Sequence, residues 1–423
     1  MTIDDYKICY EILNLVLCKK SFINIALDNI LKTNHITNKL VDTKAITFLC
    51  YGVVENNNIL DIHLQSLVDK LPKPSICIIL KIGIFGIHFM NTNSKGVINN
   101  VVDLAKNLGK GGVSGFINAV LRKSMMTIFE KNTTAKYPNW VLQKLYQDLG
   151  VDTASKIIQY QPTHLTHIRA NLSRIKTQML EQCLQKYDSL HSKIKKTQLG
   201  YYVDGATLKL LDKSFYCIQS LGSMLVVESI GRNNSGKILD LCAAPGGKSI
   251  YAAQNNPDAN IISCDIHKHR VELIRSYANC TGTTLTVMQN DATLYNAKWE
   301  NQFDIVMCDV PCSGLGVIDS KPDILQNIAQ QSIQNLTKIQ TQILERAANY
   351  TKIDGKILYS TCTYFQAENE DIVQLFLQNH KNYKLIKVEN QLIASDKDGY
   401  IKIYPHTHNT QGFFCCVLQR KDK

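Results

Sequence analysis

No apolar run in this 423-residue sequence reaches the roughly 20 residues a membrane helix needs. The nearest, Ser75 to Met90 (SICIILKIGIFGIHFM), is interrupted by Lys81 and His88 and is expected to be a buried helix. The opening segment, MTIDDYKICY, carries Asp4 and Asp5 where a secretory signal would carry positive charge, which points to a cytoplasmic chain. No paired CxxC occurs, and Cys308 with Cys312, or Cys415 with Cys416, gather no further ligands, so no metal is expected. No fixed-period repeat is present, which excludes a solenoid. With 9 Pro, 22 Gly, 20% charged and 45% hydrophobic residues, disordered, collagen-like and coiled-coil chains are excluded as well. The 14 cysteines are scattered through strand-like and helix-like segments and read as reduced thiols.

What is present is an excess of positive charge, +11 in all, and it is unevenly placed. Residues 1–130 carry +4, residues 131–235 carry +7, and residues 236–423 are neutral. A uniform lysine bias would not leave the last segment neutral. A basic surface upstream would attract a polyanion such as nucleic acid through counterion release.

The same boundaries separate three kinds of sequence. Residues 1–130 show apolar positions three and four apart, as in Ile8-Ile12-Val16 and Ile46-Leu49-Val53, and predict an all-α domain. Residues 131–235 combine a helix over 136–150 with short strands over 165–172 and 200–205, and predict a small α+β subdomain. Its lysines include Lys193, Lys195 and Lys196, a cluster that also fits a solvated turn. Residues 236–423 alternate apolar runs (237–242, 260–265, 284–288, 303–309, 356–361 and 412–419) with helical segments. Near-continuous Val, Ile and Leu imply burial on both faces, hence a parallel sheet covered by helices in a doubly wound, Rossmann-like α/β domain.

In such a domain ligands bind at the carboxyl ends of the strands. The first strand runs into Cys242-Ala243-Ala244-Pro245-Gly246-Gly247-Lys248, small residues that let a ligand approach the backbone before a helix begins near Ser249. This loop is not GxGxxG, so a dinucleotide cradle is not supported. Asp265 closes the second strand, where a carboxylate can accept ribose hydroxyls, Asp291 follows the third within reach of an adenine amino group, and Asp309 ends the fourth. Each alone also fits a strand-end or capping aspartate. Three in succession after a small-residue loop favour an adenosyl ligand.

Cys312 follows the fourth strand and Cys362 the fifth, both in polar, turn-forming surroundings, unlike Cys242 and Cys264, which read as packing residues. Two thiols facing an adenosyl pocket suggest methylation of pyrimidine carbon. Carbon 5 of cytosine becomes nucleophilic once a thiolate has added at carbon 6. Lys248 and the helix terminus are placed to favour that thiolate, and Asp309 to hydrogen-bond the ring nitrogen. Spacing leaves the roles of the two cysteines unordered.

The segments LDLCAAPGGKS (239–249), CDIHKHR (264–270), NDA (290–292), DVPCSGLGV (309–317), KPDI (321–324), YSTCT (359–363) and QGFFCCVL (411–418) resemble, in order, the motifs of the NOL/NOP/Sun RNA cytosine-5 methyltransferases. FLCYGVVE (48–55), ILKIGIFGIHFM (79–90) and GFINAVLRKS (115–124) resemble a NusB-like RNA-binding domain. The combination is similar to bacterial enzymes that act on 16S ribosomal RNA. The resemblance implies a class I methyltransferase domain, Cys362 as nucleophile, Cys312 as the residue that helps release product, and residues 242–248 with Asp265, Asp291 and Asp309 as the S-adenosylmethionine site. It also implies a monomer acting on 16S RNA, with no metal or membrane. The chain departs from the family at Glu55, where arginine is usual, at Ser220 and Gln411, where aspartate is usual, and near Asp319 and Ser320, where basic residues are usual. Two alternatives differ in class or substrate: a noncatalytic RNA-binding or antitermination factor, and a transfer-RNA cytosine-5 methyltransferase.

Overall fold

The first helix starts where the sequence supplies its own cap. Thr2 accepts from the Asp5 amide, and the Asp5 carboxylate takes the Thr2 amide in return at 2.7 Å. The computed structural model describes residues 1–36, 41–163, 165–188, 194–232 and 235–422. These form two units, Met1–Tyr146 with Ile318–Ile328, and Gln147–Val317 with Ala329–Lys423.

The first unit is helical: α1 (Ile3–Leu17), α2 (Ile23–Ile36), α3 (Thr43–Glu55), α4 (Asn57–Leu67), α5 (Pro74–His88), α6 (Ser94–Asn107) and α7 (Ser114–Met126). Proline in the first turn of α5 is tolerated because its missing N–H has no helical partner there. Every residue from Ile78 to Gly86 is buried, so the apolar stretch is the core helix that its sequence predicts. Lys81 lies inside that core because its ammonium meets Asp61 at 2.8 Å and Asn57 Oδ1 at 2.6 Å. His63 and His88 both reach Ser124 Oγ, at 3.0 and 2.9 Å, and burial holds His88 down to about 4. The segment Ile318–Ile328, which falls between methyltransferase motifs in sequence, packs with these helices. Asn57 donates to Gln326 there at 2.7 Å.

Helix α8 (Asn139–Leu149) runs across the boundary, and α9 (Val151–Gln159) follows it in the second unit. Strands β1 (Thr166–Ala170), β2 (Lys195–Lys196), β3 (Tyr201–Val203) and β4 (Tyr216–Ile218) then form an antiparallel sheet in the order β2-β3-β1-β4, joined by α10 (Thr177–Asp188) and α11 (Gly205–Leu210). This is the α+β subdomain that the short apolar runs predict. Lys196 pairs with Glu181 at 2.6 Å, and Lys193 lies outside the described residues.

Helix α12 (Leu221–Glu228) leads into the large sheet. Its strands are β5 (Lys237–Asp240), β6 (Asn260–Asp265), β7 (Thr286–Gln289), β8 (Phe303–Asp309), β9 (Thr351–Thr361), β10 (Tyr383–Ile386), β11 (Ile401–Ile403) and β12 (Phe413–Arg420). Between them lie α13 (Gly247–Asn255), α14 (Lys268–Thr281), α15 (Ile324–Asn327, in the first unit), α16 (Gln330–Tyr350), α17 (Glu370–Asn379) and α18 (Pro405–His408). The order is β10-β12-β9-β8-β5-β6-β7, with β11 also on β12. Strands β7, β6, β5, β8 and β9 are parallel, whereas β12 inserts antiparallel beside β9 and carries antiparallel β10 and β11. The sheet is therefore mixed rather than wholly parallel. The short β11–β12 connection is long enough for an antiparallel return but not for a parallel crossover.

Candidate active site

The β5–α13 loop is shaped by the side chain that precedes it. Asp240, fully buried at the end of β5, accepts from the Cys242 amide at 3.3 Å and from Ser249 Oγ at 2.6 Å, holding both ends of the loop. Burial raises its carboxyl to about 7 against the opposing hydrogen bond from Ser249, with the Asp309 charge adding to the rise. Within the loop the Ala244–Pro245 bond is cis, and Gly246 sits at φ 110°, where a side chain would be strained. Ala243 donates to Cys264 O at 2.8 Å and ties the loop to β6. In the sequence Asp240 reads only as part of a strand; its burial at the strand end depends on neighbours distant in sequence.

Asp265 and Asp309 lie at the carboxyl edge as expected, and Cys242 is placed among Asp240, Asp265 and Asp309. Asp265 accepts from the His267 amide at 3.1 Å and pairs with Arg270 at 3.2 Å, and Arg270 also reaches the Ala244 carbonyl. Asp291 accepts from the Thr293 amide and hydroxyl at 2.9 and 2.7 Å, so it also serves its own turn. The small-residue loop, the amides opening α13 and the acceptors at successive strand ends fit an adenosyl group bearing an amino-acid tail.

Beside this wall stand the two thiols. Cys312 and Cys362 place their sulfurs 3.3 Å apart, and the Cys362 amide also points at Cys312 Sγ at 3.3 Å. The loops are clamped by backbone: Gly316 N donates to Cys362 O at 2.8 Å, and a Cβ on Gly316 would come within 2.1 Å of Gly412 O. Lys248 Nζ contacts Asp309 at 2.7 Å and lies 4.9 Å from the Phe413 ring centre, while Ser360 Oγ donates to the other Asp309 oxygen at 2.8 Å. Burial opposes the Lys248 charge, but Asp309, then Cys362 and Asp240, hold the ammonium above its usual value. The hydrogen bond with Cys362, burial, and the charges of Cys362 and Glu368 hold the Cys312 thiol well above the usual range. Burial likewise raises the Cys242 thiol and pushes that of Cys264 to about 12.

Two departures from the family pattern meet in the helical unit. Glu55 pairs with Lys136, and Asp319 is held up to about 6 by burial and by Glu55, against the pull of Lys136. In the second unit Ser220 caps α12 by accepting from Ser223 N at 3.3 Å. Of the basic residues in 131–235, Arg169 is buried and stacks over Tyr251, and Lys156, Lys196 and Arg232 are ion-paired. Arg174, Lys176, Lys186, Lys195, Lys209 and Lys213 remain exposed.

The mixed sheet with its parallel core, a nucleoside-type loop and paired thiols defines a Rossmann-like methyltransferase, here carrying a separate helical domain. Residues 228–419 match the family described as 16S rRNA methyltransferase RsmB/F, and residues 7–126 match the NusB family. It is 28% identical over 432 residues to the probable ribosomal RNA small subunit methyltransferase B of Bacillus subtilis, covering 95% of both chains. It is 27% identical over 389 residues to ribosomal RNA small subunit methyltransferase B of Shewanella oneidensis, covering 89% of this chain and 90% of the other. The fold matches the crystal structure of PH0851 with a TM-score of 0.81 and 20% identity over 99% of each chain. It also matches NSun6 from Pyrococcus horikoshii, solved with SFG, with a TM-score of 0.57 and 20% identity over 68% of this chain and 99% of the other. The chain is thus an RNA methyltransferase. Among the described residues no helix is long and apolar enough to cross a membrane, and no cluster of three metal-binding side chains occurs.

Proposed function

We propose that this chain methylates carbon 5 of a cytosine in small-subunit (16S) ribosomal RNA, in the cytoplasm, using S-adenosylmethionine, with Cys362 adding to carbon 6. The observation that carries the reading is the 3.3 Å thiol pair at the ends of two adjacent strands, beside the Lys248–Asp309 ion pair. The cofactor supplies an electrophilic methyl group. Residues 242–248 accept its amino-acid end, Asp265 its ribose and Asp291 its adenine edge.

The charges around the two thiols support an order of roles that spacing does not give. Lys248 feels the charge of Cys362, whereas Glu368 bears on Cys312. Cys362 therefore works as the nucleophile. As it attacks, negative charge moves onto the cytosine ring nitrogen, which takes a hydrogen bond from the Lys248–Asp309 pair. Cys312 then assists loss of the carbon-5 proton and cleavage of the bond between carbon 6 and Cys362 sulfur.

The test is bisulfite sequencing of small-subunit and transfer RNA from cells with and without the gene, alongside methyl transfer by the purified chain. A missing mark on the small-subunit RNA is expected. An unchanged small-subunit pattern with a lost transfer-RNA mark would redirect the substrate, and failure to bind S-adenosylmethionine in calorimetry would reduce the chain to an RNA-binding factor.

A further inference from the structure

Glu368 is fully buried in a short 3-10 turn that follows the Cys362 loop, and all its carboxylate hydrogen bonds come from neutral groups. Its Oε1 accepts from the Ser313 amide at 2.9 Å and from Gln340 Nε2 at 3.0 Å, and its Oε2 accepts from Ser313 Oγ. With its own proton committed to Glu368, Ser313 Oγ accepts from Thr363 Oγ1 at 2.6 Å. Gln340 also donates to the Pro311 carbonyl at 2.9 Å. Ser313 and Thr363 are the residues directly after the two cysteines. One buried carboxylate is therefore the hub that joins both thiol loops to α16, and the core residue Tyr359 fixes its backbone by donating to Glu368 O at 2.7 Å.

We propose that Glu368 is a positioning residue for the two-thiol site: through Ser313 it locks the Cys312 loop against the Cys362 loop, and its charge makes Cys362 the first of the pair to ionise. The naming of Cys362 as nucleophile rests on the cytosine-methylation reading; the order of ionisation does not. A thiol pair in hydrogen-bond contact loses one proton as a unit, and the surrounding charges decide which sulfur keeps the other. The groups that face Cys312 are Cys362, the Glu368 carboxylate and the Tyr359 phenol, none of them cationic. Cys362 acts on the Lys248 ammonium, itself backed by Asp309 and Asp240. The pair thus lies between the Lys248–Asp309 ion pair on the Cys362 side and Glu368 on the Cys312 side, a carboxyl that burial raises, that the Ser313 and Gln340 hydrogen bonds pull back down, and that once ionised has no cation among its hydrogen-bond partners. The remaining proton stays on Cys312 until Cys362 is consumed in a carbon–sulfur bond, which removes the charge that kept Cys312 neutral.

The test uses the full-length chain without RNA. Trace iodoacetamide labelling, read cysteine by cysteine in a mass spectrometer from pH 6 to pH 10, should show Cys362 modified ahead of Cys312. Glu368→Gln, which keeps the shape and removes the charge, should raise Cys312 labelling relative to Cys362 by about tenfold near neutral pH, the size of one pKa unit. Ser313→Ala, which leaves the carboxylate but cuts the relay, should move the ratio in the same direction by less. A ratio unchanged in both variants, or a wild-type chain in which Cys312 reacts first, would overturn the proposal. If both thiols accelerate equally, Glu368 only closes the site and the proposal fails. Should the wild-type chain leave cytosine unmethylated while Glu368→Gln still shifts the ratio, the functional reading fails and this assignment stands.

Discussion

In the helical unit, every residue of α5 from Ile78 to Gly86 is buried, and the one charge among them, Lys81, is matched by Asp61 and Asn57. Along the carboxyl edge of the large sheet, Asp240, Asp265 and Glu368 are buried within a few strands of one another, with Lys248 and Asp309 beside them. The first arrangement gains stability from apolar burial, at roughly 1.5–3 kcal/mol for each fully buried Leu, Ile or Phe side chain. The second gives up some of that gain, since a buried carboxylate costs free energy unless hydrogen bonds or ions compensate it. A region can therefore be recognised as functional by charge it buries without needing it for stability.

Substitutions should separate the two regions. The largest effect is expected from Cys362→Ala, which should reduce methyl transfer at least about 10³-fold by removing covalent catalysis. Its melting temperature should stay near that of the wild type, and substantial turnover would break the assignment. Cys312→Ala should instead accumulate a covalent RNA adduct that survives denaturing electrophoresis. In the helical unit, Leu121→Ala removes a fully buried side chain and should cost about 2–5 kcal/mol in denaturant titration. Its calorimetric affinity for S-adenosylmethionine should not change.

Asp240 should show the price of charge at the catalytic edge. Its folded carboxyl titrates at about 7, above the roughly 3.9 of an unfolded aspartate, so its contribution to stability is greatest below pH 4 and is lost as pH rises to 7. Asp240→Asn should therefore flatten the pH dependence of unfolding, gaining about 4 kcal/mol on the wild type at pH 8 relative to pH 4. Parallel pH profiles for the two proteins would refute the buried-charge account. The smallest effect is expected at the exposed lysines of the α+β subdomain. Each of Lys176, Lys195 and Lys209 changed to Gln should lower the salt slope of RNA binding by about 0.7–0.9 if that lysine contacts a phosphate. Cofactor affinity should remain unchanged.

The parts of the fold legible in the sequence were those with local causes. The α5 run, the strands ending at Asp265 and Asp309, and the cysteines after β8 and β9 each announce themselves within a dozen residues. Glu368 did not, because it reads as an acidic residue ahead of a helix and acquires its role from Ser313 and Gln340, far away in sequence. The antiparallel place of β12 was hidden for the same reason: its apolar run suits a buried strand of either direction. The net charge did not show which basic residues reach the surface: Arg169 is a core residue.

The position of β12 bears on how the enzyme comes into being on the ribosome. β9, which ends at Thr361 next to Cys362, is flanked on one side by β8 and on the other by β12, a strand translated only after residue 412. Until then the β9 edge is an open row of amides and carbonyls, able to pair with another chain. Gly412, whose amide bonds to Gly316 and so joins the clamp on the Cys362 loop, also arrives with this stretch. Covering the β9 edge and closing the clamp on the Cys362 loop are thus coupled, since both depend on residues from 412 onward.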